Sequence, residues 1–221
     1  MTKILIATPA FGGNVCSSYT ESLINTCLLL SKNNINFEVK FINNQIVTRA
    51  RNMLSYIFME NNSFTHMMFI DADIVWKAND VLNLLEHKLE CVIGVYANKG
   101  YSWNNDKLKI DPSSSIDYSN NEIPPNENLI SINRAATGFM LLTKSALYRI
   151  ENDIDRFFLP IDDKLVMVYN YFDCNVVQHN YLTEDYYFSY LFKKNGGAIY
   201  ADKRIVLGHI GSHVYGSLIK P

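Results

Sequence analysis

The sequence predicts an α/β fold with a mostly parallel, doubly wound sheet, on three observations. The first seventy residues read β-α-β-α-β, the pattern of consecutive parallel strands joined by right-handed helical crossovers. The opening strand, KILIAT (residues 3–8), is a short apolar run of the kind that is buried on both faces. A chain of 221 residues that is 48% hydrophobic and 19% charged has enough apolar surface for one packed core.

Taken in order, residues 18–31 place apolar side chains at helical spacing, NFEVKF (36–41) alternates as a strand, and residues 47–59 read as a second helix. HMMFI (66–70) is the third strand. Residues 79–87 form a further predicted helix and residues 91–96 a strand. Residues 98–128 then break the pattern: they are polar, rich in Asn, Ser, Asp and Pro, and contain Tyr101 and Trp103. A loop of that length predicts a functional segment, such as a lid or platform, or a disordered one. Periodicity returns with LISIN, GFMLL and a helix over residues 145–152, followed by the strand region KLVMVYNY, a helix over 184–194 and the tail RIVLGHIGSHVYG. There is no internal repeat and no linker, so a single domain over residues 1–221 is expected.

Composition excludes several classes of function. The formal net charge is -2, and Arg49 with Arg51 is the one basic cluster, too little for a groove that neutralises nucleic-acid phosphates. No apolar stretch approaches the ~20 residues that span a bilayer, and MTKILIATPAFGG turns polar too soon for a signal peptide, so a cytoplasmic protein without a transmembrane segment is expected. Cys16, Cys27, Cys91 and Cys174 form no CxxC pair, which leaves no zinc knuckle or redox motif.

Four short stretches hold the candidate chemistry. In MMFIDADIVW (67–76), Asp71 and Asp73 stand where a strand of a parallel sheet ends, and ligands bind outside such ends. If the chain stays extended through Ala72, both carboxylates project from one face. Two such charges ~4 Å apart repel by on the order of 4 kcal/mol at an effective dielectric of about 20, which favours a cation between them. Hard oxygen ligands suit Mg²⁺ or Mn²⁺; the alternative is a pair of turn or capping acids. TRARN (48–52) opens a helix with Thr48 as N-cap and Arg49 and Arg51 in the first turn, where the helix dipole is already positive. That conflict calls for an anion, either a bound diphosphate or a carboxylate such as Asp71.

TEDYYFSYLFKKNGG (183–197) has Thr183 as N-cap, Glu184 and Asp185 in the first turn, Lys193 and Lys194 in the last, and Gly196 to close it. Acids there suit any capped helix, and they could equally accept a proton from a substrate hydroxyl. In LGHIGSHVYG (207–216), His209 follows an apolar run, with His213 nearby, and an imidazole late in the chain would add a ligand to a metal held by too few carboxylates.

In this order, Asp71-Ala72-Asp73, Thr137-Gly138-Phe139-Met140, Glu184-Asp185 and His209 resemble the motifs of nucleotide-sugar glycosyltransferases of the GT-A fold, of the family 2 type, over nearly the whole chain. The size and the Asn- and Ile-rich composition also resemble small glycosyltransferase domains of giant DNA viruses. The resemblance implies a Rossmann-like sheet with a smaller mixed or antiparallel sheet on the acceptor side. Residues 1–97 would be the nucleotide-binding half and 98–221 the acceptor and catalytic half. It implies that Asp73 and His209 bind Mn²⁺ or Mg²⁺, that Asp71 contacts ribose or joins the metal set, and that Thr8, Pro9, Phe11 and Ala72 line the nucleotide site. Arg51 would sit by the base or diphosphate, and Gly138 would pass close to the donor sugar. Asp185 would be the base and Glu184 its support. The donor would be a UDP-sugar and the acceptor a glycan or other hydroxyl. An Asp base with an ordinary pKa near ~3.9 would be ionised at neutral pH.

Three rival readings remain at this stage. A haloacid-dehalogenase-type phosphatase also ends an apolar strand in DxD, with Asp71 as nucleophile, but there the motif opens the fold. A binding module could keep the same residues without turnover. A nucleotidyltransferase would want a basic Gly-rich loop, and TPAFGGNVCSS has glycines without Lys or Arg.

Overall fold

The computed structural model describes residues 1–99, 101–104, 107–110, 116–118, 123–161, 163–211 and 214–216. The chain opens with β1 (Lys3–Ala10), α1 (Ser17–Lys32), β2 (Asn36–Asn43), α2 (Val47–Glu60) and β3 (His66–Ile70), as the periodicity predicts. A two-residue β4 (Ile74–Val75), α3 (Ala78–Glu86) and β5 (Cys91–Ile93) follow. Then come β6 (Tyr101–Asn104), β7 (Lys107–Ile110), β8 (Ile116–Tyr118), β9 (Leu129–Ala135), β10 (Phe139–Thr143) and a short α4 (Lys144–Tyr148). The last part holds the hairpins β11 (Arg156–Ile161) with β12 (Lys164–Tyr169) and β13 (Asn175–Val177) with β14 (Asn180–Leu182). It ends with α5 (Glu184–Lys194), β15 (Ile199–Asp202), β16 (Gly208–Ile210) and β17 (Val214–Gly216).

Eight strands form the central sheet in the order β2-β1-β3-β10-β5-β15-β9-β8. β1 runs parallel to β2 and β3, and β15 parallel to β5, while β10 and β9 run against their neighbours. The sheet is therefore mostly parallel in strand direction, with two reversed strands that the β-α-β reading did not predict. β10 is reached from β9 through residues 136–138 alone, with no helical crossover to set it parallel to β3 and β5.

Alternation along each strand divides the core in two. Leu5, Ala7, Met67, Phe69, Met140 and Leu142 pack with Leu54 and Phe58 of α2 and Phe188 and Phe192 of α5. Ile4, Ile6, Met68, Ile70, Phe139 and Leu141 pack on the opposite face with Tyr19 and Leu30 of α1 and Val81 and Leu84 of α3. The helices thus lie on both faces, as a sheet without a solvated side requires.

Several local expectations are corrected. Residues 98–128 are not one long loop, since β6 and β7 pair as a hairpin and β8 joins the central sheet beside β9. The lid expectation for this stretch, the side chains of Tyr101 and Trp103, and His213 lie at least in part outside the described residues. The strand expected at 91–96 ends at Ile93, after which residues 94–96 continue outside regular strand. The helix expected at 145–152 shortens to α4 and a 3-10 turn at Glu151–Asp153. α2 starts after Ile46 with no side-chain cap, so Thr48 is inside the helix rather than its N-cap. Among the described residues no helix is long and apolar enough to cross a membrane.

Candidate active site

β3 does not stay extended through Ala72. The backbone turns at once, with Ile74 N–H donating to the Asp71 carbonyl at 3.1 Å, while Asp71 N–H donates to the Gly138 carbonyl at 3.0 Å. The Cys16 N–H, at the start of α1, reaches the Ala72 carbonyl at 3.3 Å. The two carboxylates consequently diverge: Asp71 turns inward to Arg51, and Asp73 outward to Lys99 and His209.

Arg51 is only 3% exposed, and its guanidinium bridges two carboxylates. Its Nη2 lies 3.0 Å from Asp71 Oδ1, its Nε donates to Glu184 Oε1 at 3.3 Å, and its Cζ stands 5.4 Å from the Phe69 ring centroid. Burial opposes its charge, but Asp71 and then Glu184 outweigh the burial and hold its pKa above the ordinary value. Arg51 is thus a strut between the strand end and α5. The anions facing this cation near the start of α2 are two carboxylates of the protein, Asp71 and Glu184.

His209 reaches Asp73 because β16 pairs antiparallel with β4, setting His209 opposite Ile74, while Ile210 N–H donates to the Asp73 carbonyl at 2.8 Å. His209 Nδ1 lies 2.8 Å from the Ala97 carbonyl, which can only accept, so Nδ1 bears the proton. Nε2 then faces Asp73 Oδ1 at 3.6 Å. In the neutral imidazole these are two acceptors facing each other, an arrangement completed either by a proton on Nε2 or by a metal ion. The other Asp73 oxygen pairs with Lys99. Burial would raise the Asp73 carboxyl, but His209 and Lys99 overcome it and hold the pKa at about 2, so the group is ionised throughout the neutral range. The donor set, one hard carboxylate and one imidazole backed by a carbonyl, fits Mn²⁺ or Mg²⁺ with positions left for phosphate oxygens. Among the described residues no three His, Cys, Asp or Glu side chains gather to hold a metal without such outside ligands.

At the start of α5, Glu184 is buried and tied to Arg51, whereas Asp185 accepts from Thr183 Oγ1 and from Tyr186 N–H. Both bonds go to Oδ1. Thr183 flanks the helix as predicted, but its hydroxyl binds the Asp185 carboxylate rather than capping the backbone. The Asp185 pKa is raised, first by burial and then by Glu184, so the ordinary value expected from the sequence is corrected upward.

A cavity of about 500 Å³ opens at the end of β3, lined by Pro9, Phe11, Asn14, Gln45, Val47 and the Asp71-Ala72-Asp73 turn, among others. Phe11 is 79% exposed at its mouth. Thr8 does not line it: its side chain is fully buried and shares a hydrogen bond with the Tyr19 hydroxyl, so it supports the wall from behind.

With fold and geometry in view, comparison with solved structures finds a likeness to A197 from STIV, at a TM-score of 0.55 and 18% identity, over 100% of this chain and 96% of that one. The shared architecture is the GT-A fold. Also similar are GalNAc-T7 with UDP, GalNAc and Mn²⁺ (TM-score 0.49, 10% identity, 96% of this chain and 44% of that one) and S. aureus TarS 1-349 in complex with UDP-GlcNAc (TM-score 0.41, 13% identity, 100% and 59%). No family model and no curated protein matches the chain.

Within this GT-A frame the structure brings together most residues singled out from the sequence: Asp71, Arg51 and Glu184 in one cluster, Asp73 and His209 in a second, and Pro9, Phe11 and Ala72 on the cavity wall. Sequence reading missed Tyr96, Lys99, Asn14 and Gln45. Tyr96 is the most consequential, since its hydroxyl accepts from Gly138 N–H at 3.1 Å and its ring meets His209 edge-on at 5.0 Å. No periodic or spacing signal distinguishes it from a core aromatic.

Gly138 is required by this contact, because a Cβ there would stand 2.7 Å from Tyr96 Cζ. Gly138→Ala should therefore cost about 1–3 kcal/mol through displacement of a buried ring. Chemical denaturation measures this, and a loss under half a kcal/mol would contradict the tight packing.

Proposed function

We propose that this protein is a metal-assisted glycosyltransferase that moves a sugar from a UDP-sugar to the hydroxyl of a glycan or similar acceptor, with residues 1–97 forming the donor side and 98–221 the acceptor side. The observation that most supports it is the facing pair of Asp73 and His209, with Asp73 on the cavity wall and His209 Nδ1 tied to Ala97. Pro9, Phe11 and Val47 offer apolar surface to a base, and Asn14 and Gln45 offer hydrogen bonds to its edge or to the ribose.

In this reading Asp73 and His209 hold the divalent ion, which when bound neutralises charge on the diphosphate as it leaves. Asp185 Oδ2 takes the acceptor proton as the acceptor oxygen bonds to the anomeric carbon. The bond from that carbon to the diphosphate oxygen breaks, and its electron pair leaves with UDP. Arg51 acts indirectly by fixing the DxD turn to the helix that presents Asp185. The ion pair to Arg51 also disfavours Asp71 as the nucleophile of a phosphatase, because a carboxylate so held is stabilised in its ground state.

Calorimetric titration with UDP, with and without Mn²⁺, tests the reading on the wild type and on Asp73→Asn. Binding that depends on Mn²⁺ and weakens at least about tenfold in the variant is expected, as for loss of a charged metal ligand. Equal binding by both proteins would remove Asp73 from the metal site.

A further inference from the structure

The carboxylate of Asp73 is already held by a cation of the protein. Its Oδ2 pairs with Lys99 Nζ, and its Oδ1 faces His209 Nε2 at 3.6 Å. Both partners are set from the short segment that follows β5. Tyr96 anchors that segment through its hydroxyl, which accepts from Gly138 N–H at 3.1 Å, and Ala97 anchors it through the carbonyl that meets His209 Nδ1 at 2.8 Å. Lys99 stands two residues beyond the second anchor, so the backbone that orients the imidazole also brings the ammonium to Asp73. Asp73 is pinned from its own side, because Ile210 N–H donates to its carbonyl at 2.8 Å.

The two cations of the DxD turn differ in how firmly they are held. Arg51 is buried between Asp71 and Glu184, whereas the Lys99 and Asp73 side chains are 35% and 39% exposed. A pair exposed to that degree contributes little to stability, and among the described residues Lys99 has no second ion pair. Lys99 is therefore an exchangeable counter-ion rather than a strut. A divalent ion on the same carboxylate meets the ammonium as a like charge. Even at a water-like dielectric, a unit and a double charge sharing one carboxylate repel enough to lower affinity by on the order of tenfold. A diphosphate reverses the balance. Its oxygens complete the coordination of an ion that has few protein ligands, and they offer the displaced ammonium a new partner.

We propose that Lys99 is a stand-in cation: it opposes binding of a lone divalent ion by Asp73 and His209, and it passes to the diphosphate when ion and nucleotide enter together. This rests on the reading of Asp73 and His209 as the metal-holding pair. The ion consequently binds weakly by itself and tightly with nucleotide. By linkage, the factor by which UDP tightens Mn²⁺ equals the factor by which Mn²⁺ tightens UDP. Lys99 enters that factor twice, by opposing the lone ion and by holding the phosphate of the complex.

Electron paramagnetic resonance of free Mn²⁺ tests this, with and without saturating UDP, on the wild type, Lys99→Met, Lys99→Arg and Asp73→Asn. Without UDP, Lys99→Met should bind Mn²⁺ on the order of tenfold more tightly than the wild type. Lys99→Arg keeps the charge and should stay within about threefold of the wild type. The tightening of Mn²⁺ by UDP should be smaller in Lys99→Met, by on the order of tenfold. Lys99→Met binding the lone ion no better than the wild type, while Asp73→Asn loses it, would overturn the proposal and leave the metal site standing. Tighter binding of the lone ion with the same tightening by UDP would overturn the transfer of Lys99 to the diphosphate. Mn²⁺ binding unaffected by Asp73→Asn, or none in any of the four proteins, would remove the metal-holding pair and the proposal with it.

Discussion

Arg51→Met should lower the unfolding free energy by about 3 kcal/mol and weaken UDP binding in the same variant. The magnitude follows from removing one member of a buried charge network, which costs about 3–5 kcal/mol because the partners stay behind uncompensated. The low end applies because the Asp71 side chain is 28% exposed and can recover some hydration, whereas Glu184 at 11% cannot. For a chain of this length that corresponds to a fall in Tm of roughly 6–12 °C. Arg51→Lys should lie between, since a lysine retains the charge but cannot span Nε to Glu184 and Nη2 to Asp71 at once. Denaturant melts of the three proteins measure the effect. A Met variant within half a kcal/mol of wild type would mean that the carboxylates find other partners, and the strut would lose its role.

Asp185→Asn should abolish most turnover, by on the order of a thousandfold in kcat, while leaving UDP binding and the fold intact. The amide is isosteric and can still accept from Thr183 and Tyr186 N–H through its oxygen. The pH dependence has a definite sign. Burial and then Glu184 raise the Asp185 pKa, and the base proposed here acts as a carboxylate, so kcat should fall as pH drops through that raised value. For stability the sign is opposite. A folded pKa above the unfolded one favours folding below the unfolded pKa, and that contribution is lost as pH rises through the folded pKa. At neutral pH the ionised Asp185 is thus a small burden, and Asp185→Asn should be as stable as wild type or more so. A variant with normal kcat, or one whose acid limb is unchanged, would move the base elsewhere.

The DxD turn illustrates how far sequence reading reached. A strand leading into Asp71 and Asp73 was legible from the apolar run of HMMFI, and the Arg51 conflict with the helix dipole announced a nearby anion. What failed was the inference that both acids share a face. It assumed extended backbone at Ala72, and one hydrogen bond from Ile74 to Asp71 sends the carboxylates to different partners. Lys99 and Tyr96 could not be found at all, since they follow β5 where the chain leaves the sheet and no period applies.

The sequence by itself determined the elements whose signals are local: the β-α-β-α-β opening, α5 with its acids first and lysines last, and Gly196 at φ 76 beyond the helix end. These depend on side-chain period and on helix termini, which act over a few residues. Only the tertiary structure decided that β10 runs reversed between β3 and β5, that β16 pairs with β4 to face His209 with Asp73, and that Arg51 joins Asp71 to Glu184. Those contacts join residues up to 136 positions apart, counting from Asp73 to His209. Their partners are selected by strand pairing and charge compensation after collapse, and neither is written in the neighbourhood of any one residue.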